Sequence, residues 1–508
     1  GEIMAQKLIR ITDRDNVAVA LESLPQGSVL EIDGITLTTG SNIPAGHKVA
    51  LFDIKEGESA VKYGYPIGYA KCEIRKGDWV HTINVHTALK EEAEYTYDAA
   101  YAKDCVAEMD AKKKSYASSG IPTIKAYERK NGDIGIRNSI WIVPTVGCVN
   151  QISKTLEAWG NENLGIEDGV HAWVHPFGCS QLGDDHENTR KILAGLVKHP
   201  NAGGVLVIGL GCENNTMESF KAMLGEVDEE RIKFMVCQEE TDEIESGKKI
   251  LSQLAEVVKK DQRTALPMSR LIVGMKCGGS DGFSGITANP LVGRFTNELV
   301  AMGGTAILTE VPEMFGAEQV LMNRAENEAV FEDVVSMING FKHYFTSHGQ
   351  VVYENPSPGN KMGGITTLED KSLGCVQKGG RAPVSGVLKY GEKATRKGMN
   401  LLTGPGNDIV STTVQSASGA HMILFTTGRG TPLGAPVPTV KIATNPQLAE
   451  KKANWIDFNA GRLLSEDSDT VLDDFISLIQ AIASGTIKTK NEINGYSEIS
   501  ILKDGVVL

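Results

Sequence analysis

The sequence predicts an α/β protein in which a small N-terminal all-β domain precedes two larger α/β domains. The chain has 508 residues, which at about 150 residues per domain is enough for about three domains. Its N-terminal part contains short apolar segments separated by glycine turns, a pattern typical of a compact β domain. From residue 139 onward, apolar runs of strand length alternate with amphipathic helical stretches, as in a parallel sheet covered by helices on both faces.

The domain boundaries are predicted from these changes of pattern. We expect an all-β domain at 1–95, a polar connector at 96–127, a doubly wound, mostly parallel α/β domain at 128–350 and a second α/β domain at 351–508. The connector begins within a polar stretch, acidic and then basic, that is typical of a crossing between domains.

Within the first domain, one helix at 15–23 is expected to interrupt a series of strands. The glycines between the apolar segments supply the turns that join the strands. The predicted strands are 29–32, 35–37, 47–54, a segment at 60–63, 67–74 and 79–85.

The second domain is expected to start with a hairpin at 128–137, because Asn131-Gly132 favours a tight turn between two strands. Strands and helices then alternate. The predicted strand and helix pairs are 139–146 with 151–159, 171–175 with 186–197, 204–210 with 216–224, 232–236 with 243–259, 271–275 with 290–302, and 305–308 with a long helical region to 345. In the last domain the predicted strands are 400–402, 421–426 and 439–442, and the predicted helices are 409–416 and 469–483.

The charge balance argues against nucleic acid as a partner. The chain has 51 basic and 64 acidic residues, a net charge of −13, without long blocks of one sign, whereas nucleic-acid-binding domains are usually basic. No apolar run approaches the ~18 residues of a membrane span, so no membrane partner is expected. The eight cysteines contain no closely spaced metal-binding pair, and reduced thiols in a cytoplasmic protein are expected.

Five cysteines recur at one place in the predicted fold, directly after a strand: Cys148, Cys179, Cys212, Cys237 and Cys277. Open α/β sheets bind ligands at the carboxyl ends of their strands, where thiolates can hold an iron–sulfur cluster or a soft metal. Cysteine is also among the most buried residue types. Packing without any ligand is therefore the alternative for each thiol.

Glycine-rich polar loops are predicted at the same ends of the strands, at 276–285, 358–364 and 403–408. Backbone N–H groups in such loops bind oxyanions, and Lys276, Lys361 and Arg429 add positive charge for a carboxylate. No loop matches a dinucleotide-binding or phosphate-binding pattern. Tight turns without a ligand are the alternative for each loop.

The small domain contains a group of cationic side chains close in sequence: His47, Lys48, Lys62 and His81. A pocket of this composition can hold a divalent metal through imidazole and a carboxylate through lysine. In a regular strand, His81 would lie on the opposite face from Asn84 and His86. An ordinary structural role is the alternative for each histidine taken alone.

These segments resemble a known family. Those that resemble the SAF domain opening the altronate and galactarate dehydratases are 46–48, 62–68 and 80–85, and those that resemble the main body of the family are 146–148, 274–281, 356–364 and 404–408. The resemblance covers residues 5–508. It implies a hydro-lyase of sugar-acid catabolism that is stimulated by Fe²⁺ or Mn²⁺. Altronate is the expected substrate, with galactarate or sulfolactate as alternatives.

Dehydration of a 2,3-dihydroxy acid assigns roles to these residues. A base removes the C2 proton, an acid protonates the hydroxyl that leaves C3, and a metal stabilises the developing charge. The expected catalytic residues are His47, Lys48, Lys62 and His81. The expected substrate-binding residues are Tyr63, Asn84, Lys276, Lys361, Asn407 and Arg429. The expected metal ligands are among His47, His81, His86, Cys148, Cys212 and Cys277.

Two alternatives stay open. An iron–sulfur cluster held by Cys148, Cys212 and Cys277 is the alternative cofactor. A non-catalytic carboxylate-binding protein is the alternative class of function. The expected partner is a small sugar acid, and a homo-oligomer, specifically a dimer, is the expected assembly.

Overall fold

The computed structural model describes residues 6–89 and 93–508. Its N-terminal part is an all-β domain, as predicted. The strands are β1 (Leu8–Ile9), β2 (Val17–Ala20), β3 (Val29–Ile32), β4 (Ile35–Thr38), β5 (Lys48–Ala50), β6 (Ser59–Lys62), β7 (Tyr65–Ala70), β8 (Trp79–Val80) and β9 (Val85–His86). They form antiparallel sheets in the orders β1-β2-β5-β8, β3-β4 and β6-β7-β9.

The helix predicted at 15–23 is wrong, because this segment contains strand β2. All four residues of β2 are buried, so the alternation of apolar and polar residues that marks a half-exposed strand is missing. A short, uniformly apolar segment of this kind does not distinguish a strand from a helix by its periodicity.

The predicted connector contains a long helix, α1 (Ala99–Ser119). The Asp98 side chain caps it by accepting hydrogen bonds from the N–H groups of Ala100 and Tyr101. Only three of its 21 residues are buried, and a helix that is polar nearly all round has little amphipathic pattern by which to recognise it.

The middle of the chain forms a four-stranded parallel sheet in the order β13-β12-β14-β15. It follows the hairpin of β10 (Thr123–Glu128) and β11 (Ile134–Gly135). The strands of the sheet are β12 (Ser139–Pro144), β13 (Val170–Ala172), β14 (Ala202–Gly209) and β15 (Ile232–Val236), and the helices are α2 (Asn150–Asn163), α3 (Gly183–Val197), α4 (Met217–Leu224) and α5 (Glu243–Val258). Helices α2 and α5 pack on one face, and α3 and α4 belong to a second core cluster. The doubly wound arrangement is therefore confirmed.

A seven-stranded parallel sheet occupies the rest of the chain, in the order β19-β20-β18-β17-β21-β22-β23. Strand β16 (Thr264–Pro267) precedes it and pairs with β10. Its strands are β17 (Ile272–Cys277), β18 (Thr305–Leu308), β19 (Val384–Leu388), β20 (Gly398–Leu402), β21 (Met422–Thr427), β22 (Thr439–Ala443) and β23 (Phe458–Asn459). The helices are α6 (Ala288–Ala301), α7 (Glu318–Met322), α8 (Glu328–Ser347), α9 (Pro358–Met362), α10 (Leu368–Cys375), α11 (Asp408–Ala417), α12 (Pro446–Lys451), α13 (Ser468–Ala483) and α14 (Lys490–Asn494).

The boundary predicted at residue 350 does not coincide with the division between the sheets. Strands β17 and β18 precede that residue, yet they pair with β21 and β20 from beyond it. The sheets divide the chain before β17 instead. Strands and helices alternate in the same way on both sides of this point. The hydrophobic periodicity of the sequence therefore does not indicate where one sheet ends and the next begins.

The topology of the seven-stranded sheet positions the candidate site. From β17 the chain passes to β18 on one side, while β21 lies on the other side. Loops that leave β17 and β21 therefore diverge at their carboxyl ends, which is where ligands bind in open parallel sheets. Across the two described ranges, none of the helices has the length and apolar character needed to traverse a bilayer.

Candidate active site

The small domain presents a compact group of buried side chains to the seven-stranded sheet: His47, Lys48, Lys62, Tyr63 and His81. Strand pairing brings them together, since Lys48 in β5 lies opposite Val80 in β8. The rings of His47 and His81 are 4.9 Å apart between centroids. The structure thus places the four predicted catalytic residues in one cluster.

Asp370 in α10 is the centre of this cluster. Lys48 Nζ donates to its Oδ2 at 2.8 Å, and Lys62 Nζ donates to its Oδ1 at 3.1 Å. The Thr366 N–H also donates to Oδ2, at 3.0 Å. Burial opposes the charge of this carboxylate, but the two ammonium groups outweigh burial and hold the pKa of Asp370 well below its usual range.

The two lysines differ although they share a partner. Burial lowers the pKa of Lys48 to about 8. Burial also opposes the charge of Lys62, but the interactions with Asp370 and Tyr63 together outweigh it and raise the pKa of Lys62 above its ordinary value. At neutral pH the cluster therefore holds one carboxylate between two ammonium groups.

Both histidines of the cluster are neutral at neutral pH. Burial is the main cause that lowers the pKa of His81 to about 4, and burial also lowers the pKa of His47. The Trp79 indole N–H donates to His47 Nδ1 at 3.2 Å, so the other ring nitrogen carries the proton and donates to the Met362 carbonyl at 3.1 Å. His81 stacks on Trp79, and its Nδ1 lies 3.3 Å from the Thr366 hydroxyl.

A second buried group lies at the carboxyl end of α10 and contains two thiols and a carboxylate. The Cys277 and Cys375 sulfurs are 3.4 Å apart, and they lie 3.1 and 3.3 Å from Glu313 Oε2. Lys371 Nζ contacts Glu313 Oε1 at 2.8 Å, and Lys378 Nζ contacts Cys277 Sγ at 2.8 Å. Burial opposes ionisation of Glu313, but the ammonium groups of Lys371, Lys276 and Lys378 together outweigh it and hold the pKa of this carboxyl low.

In the described ranges, this second group is the only set of three donor atoms that lie close enough to share one metal ion: one atom each from Cys277, Glu313 and Cys375 lies within 4.8 Å of the others. The histidines predicted as ligands are not part of it. Both nitrogens of His47 are engaged by Trp79 and Met362, and His86 is exposed, with Nδ1 2.8 Å from the Thr87 carbonyl oxygen.

A cavity of about 10 Å³ lies between the two groups. The side chains of Lys62, Tyr63, Asp281, Lys371 and Cys375 are among those that line it. Burial raises the pKa of Tyr63 to about 12 and raises the pKa of Asp281 above its ordinary value. Gly285 is required beside the cavity, because an added Cβ would lie 2.0 Å from the Tyr63 hydroxyl oxygen.

The other predicted substrate-binding residues lie around this end of the sheet without lining the cavity. Lys276 is buried and ion-paired with Glu310 and, at 2.7 Å, with Asp408. Lys361 is half-buried in α9. Asn407 caps α11 through a 3.1 Å hydrogen bond from the Val410 N–H, and Arg429 is exposed, 3.4 Å from the Gly359 carbonyl oxygen.

Asn84 has a structural role in the small domain. Its side-chain oxygen accepts from the His81 N–H at 2.9 Å, and its nitrogen donates to the Trp79 carbonyl at 2.8 Å. These two bonds fix the turn that carries His81. The oxygen and the nitrogen of the Asn84 side chain therefore both bond to backbone groups and not to a substrate.

The predicted single row of five thiols is wrong. Cys148, Cys179, Cys212 and Cys237 follow strands of the four-stranded sheet, whereas Cys277 ends β17 of the seven-stranded sheet. The iron–sulfur ligand set predicted from Cys148, Cys212 and Cys277 is thus divided between two sheets. The alternation of strand and helix indicated carboxyl ends correctly but not which strands share a sheet.

The sequence interpretation missed several residues of the site: Asp281, Glu313, Asp370, Lys371 and Cys375. Asp370 and Lys371 lie in a stretch of mixed charge that is typical of an exposed helix face, yet every residue of α10 is buried. Acidic residues shortly after a buried strand were a signal that could have indicated Glu313. Glu310 and Glu313 follow β18, just as Cys277 lies at the carboxyl end of β17.

A larger cleft, of about 670 Å³, lies near the amino ends of β14 and β15. Several of its charged side chains are already paired. Arg231 and Arg129 both contact Asp261, at 2.7 and 3.3 Å, and Lys393 contacts Asp133 at 2.7 Å. This cleft faces away from the ligand-binding ends of the strands and contains none of the predicted site residues.

Three family models together match nearly the whole chain. They are described as the altronate/galactarate dehydratase SAF domain at 6–88, the D-galactarate dehydratase/altronate hydrolase second domain at 126–259 and the D-galactarate/altronate dehydratase C-terminal domain at 268–507. The last two ranges separate where the two parallel sheets separate.

Curated relatives match over the same extent. An altronate dehydratase of Escherichia coli (strain K12) is 50% identical over 504 residues, 98% of this chain and 99% of the relative. An altronate dehydratase of Bacillus subtilis (strain 168) is 50% identical over 508 residues, 99% of this chain and 100% of the relative. A galactarate dehydratase (L-threo-forming) of E. coli (strain K12) is 33% identical over 509 residues, 95% of this chain and 93% of the relative.

Proposed function

The chain belongs to the D-galactarate/altronate dehydratase family, and from this premise we propose that it dehydrates D-altronate to 2-dehydro-3-deoxy-D-gluconate and water. The activity class is that of a sugar-acid hydro-lyase. The choice of altronate is supported by 50% identity to two altronate dehydratases, against 33% to a galactarate dehydratase.

One observation carries the proposed location of the reaction: two buried cations, Lys62 and Lys371, line the same cavity as Asp281, whose pKa is raised. Dehydration passes through a carbanion that is stabilised by the adjacent carboxylate, so cations beside that carboxylate favour the transition state. The two ammonium groups bind the substrate carboxylate, and the Asp281 carboxyl donates a proton to the hydroxyl that leaves C3.

Lys48 is the proposed acceptor of the C2 proton. Its pKa of about 8 is nearer to neutral pH than that of Lys62, and a base is most effective when its pKa is close to the working pH. Lys48 does not line the cavity itself. Asp370 lines it and contacts both Lys48 and Lys62, so the proton passes to Lys48 through this carboxylate. His47 and His81 are proposed to position the segment 362–366 through their contacts with the Met362 carbonyl and the Thr366 hydroxyl.

The cavity has room for about one water molecule, whereas altronate has six carbon atoms. We therefore propose that substrate enters when the small domain separates from α10 and that the structure represents the closed arrangement. Closure excludes water, which strengthens every electrostatic contact in the site.

The donor chemistry of Cys277, Glu313 and Cys375 fits an iron ion. Two sulfur donors and one carboxylate suit Fe²⁺ better than Mn²⁺, which prefers oxygen ligands. Lys371 lies beside the carboxylate donor Glu313, and Lys378 lies beside the thiol donor Cys277. A bound divalent metal here would supply Lewis-acid stabilisation of negative charge on the substrate.

The proposal retains two predictions about the setting of the enzyme, a cytoplasmic location and a homodimer. Support for the first is that all eight cysteines are free, as is usual in reducing compartments.

The function is tested by assaying the anaerobically purified chain, loaded with Fe²⁺, on D-altronate, galactarate and sulfolactate. We expect a 2-keto-3-deoxy acid from altronate, with kcat/KM at least about tenfold above that for galactarate. The matched control is Lys371→Met, which removes one cavity cation and is expected to raise KM. A preference for galactarate or sulfolactate would show that altronate is not the substrate. Binding of altronate without formation of product would show that the chain is a binding protein and not an enzyme.

The role of Lys48 predicts a pH dependence. Because Lys48 accepts a proton only when it is neutral, kcat/KM is expected to rise as the pH passes upward through about 8. Lys48→Arg keeps the positive charge beside Asp370 but cannot lose its proton, so turnover is expected to fall at least about 100-fold. Lys62→Arg is the control and is expected to lose less. Wild-type turnover and an unchanged pH profile in Lys48→Arg would contradict this role.

A further inference from the structure

Three cysteines of the four-stranded sheet occur in the same local sequence, glycine, cysteine, any residue and then an amide residue. The segments are 147–150 (Gly-Cys-Val-Asn), 178–181 (Gly-Cys-Ser-Gln) and 211–214 (Gly-Cys-Glu-Asn). The proposed dehydration does not use them. A pattern that recurs three times after three strands indicates a common task for the three thiols.

The strands that precede these segments are adjacent. Strand β12 pairs with β13 on one side and with β14 on the other, so Cys148 lies between Cys179 and Cys212 along the end of the sheet. From β12 the chain passes to β13 on one side, while β14 lies on the other. The three cysteines therefore lie at the point where this sheet, too, is expected to bind a ligand.

The three segments also hold one another in place. The Gly147 N–H donates to the Phe177 carbonyl at 2.8 Å, and the Asn215 N–H donates to the Gly178 carbonyl at 3.0 Å. Gly178 has a φ of +98°, and an added Cβ would lie 2.0 Å from the Thr145 carbonyl oxygen. The glycine thus allows two of the cysteine segments to approach more closely than any other residue would permit.

The thiols of these segments are accessible, which is unusual for cysteine. Cys148 and Cys212 are exposed and Cys179 is half-buried. Their neighbours are polar, since Cys179 Sγ lies 3.4 Å from Asn214 Oδ1 and Gln238 Nε2 lies 3.6 Å from Cys212 Sγ. Cys237, after the next strand, differs: it is buried, and burial raises its pKa to about 11.

The three sulfurs lie too far apart to share a single tetrahedral ion. In the part of the chain that the structure describes, they do not form a donor group within 4.8 Å, whereas one tetrahedral ion with bonds of about 2.3 Å needs sulfurs about 3.8 Å apart. Iron–sulfur clusters are larger than a single ion and are held by cysteine thiolates. We propose that Cys148, Cys179 and Cys212 bind a four-iron cluster, leaving one iron without a protein ligand. Each thiol loses its proton and forms one sulfur–iron bond, so binding releases three protons.

The test is anaerobic reconstitution of the full chain with sulfide and equal amounts of ferrous and ferric iron, which together give the usual charge state of a four-iron cluster without a further oxidant. We expect visible charge-transfer absorption and about four iron and four acid-labile sulfide per chain, in addition to any iron at Cys277, Glu313 and Cys375. The triple variant Cys148→Ser/Cys179→Ser/Cys212→Ser is expected to lose the sulfide and the absorption. Cys72→Ser is the matched control, because Cys72 is also exposed but lies in the small domain.

Two further measurements keep the result decisive. Circular dichroism and the melting temperature of the triple variant show whether it is folded, and Glu313→Gln is expected to retain the full sulfide content, since this residue lies at the other sheet. Sulfide binding that is equal in the wild type and the triple variant would overturn the proposal. Uptake of one metal ion per site without sulfide would also overturn it, in favour of a mononuclear site.

Discussion

Replacement of Asp370 by asparagine is expected to lower the free energy of unfolding by about 3–5 kcal/mol and to reduce turnover at least about 1000-fold. Asp370 is the shared partner of Lys48 and Lys62, and all three side chains are at most 3% exposed. The variant would leave two buried ammonium groups without their counter-charge, which costs more than the ion pairs themselves contribute.

The effect of Asp370→Asn has a defined pH dependence. The pKa of Asp370 is depressed in the folded chain, so its stabilising contribution is complete above the pKa of about 3.9 that it has when unfolded. It is lost as the pH falls through the lower pKa of the folded state. The difference between wild type and variant is therefore expected to be full at pH 7 and to shrink in acid.

Denaturant unfolding at several pH values, together with steady-state turnover, measures both effects. Glu230→Gln is the control, because its pair with Lys130 has the same type of contact, at 2.9 Å, but both side chains are about 70% exposed. We expect a change in unfolding free energy of less than about 1 kcal/mol for this control. A similarly small change in Asp370→Asn would contradict the central role of the carboxylate.

Replacement of Glu313 by glutamine is expected to lower bound iron to near zero outside the proposed cluster and to lower kcat at least about 100-fold. The Glu313 carboxylate is the oxygen donor beside the two sulfurs of Cys277 and Cys375. An amide keeps the shape of the side chain but removes the charge that attracts a divalent cation.

Glu318→Gln is the control that distinguishes the effect of losing the metal from the effect of losing a buried ion pair. Glu318 contacts Lys342 at 2.8 Å, as Glu313 contacts Lys371 at 2.8 Å, and all four side chains are at most 8% exposed. Both variants are expected to lose stability, while only Glu313→Gln loses iron. Metal analysis and denaturant unfolding of both variants test this expectation. Equal iron content in the two variants would show that Cys277, Glu313 and Cys375 do not bind the metal.

The fold class and the positions of many strands along the chain were predictable because buried parallel strands are uniformly apolar. Strand β14 shows this best, since all eight of its residues are buried. The same property led to the error in β2, where a four-residue apolar strand offered no periodicity to separate it from a helix. Short elements carry too few residues for a period to be measured.

The candidate site was predictable only where its members lie close in sequence. His47, Lys48, Lys62 and His81 belong to one small domain, and local strand pairing brings them together. Asp370 completes the cluster from a helix with adjacent acidic and basic residues, a composition typical of an exposed helix, although the helix is buried. Its role depends on which surfaces pack together, and a single sequence does not record that packing.

The link between Lys48 and Asp370 spans 322 residues of chain. A ribosome makes the small domain long before it makes Asp370, and N-terminal domains tend to fold as they emerge. Until that carboxylate arrives, the two lysines have no partner and must remain hydrated. The nascent small domain is therefore expected to keep this face exposed to water, and the last of its surfaces to be buried is the one that carries the proposed site.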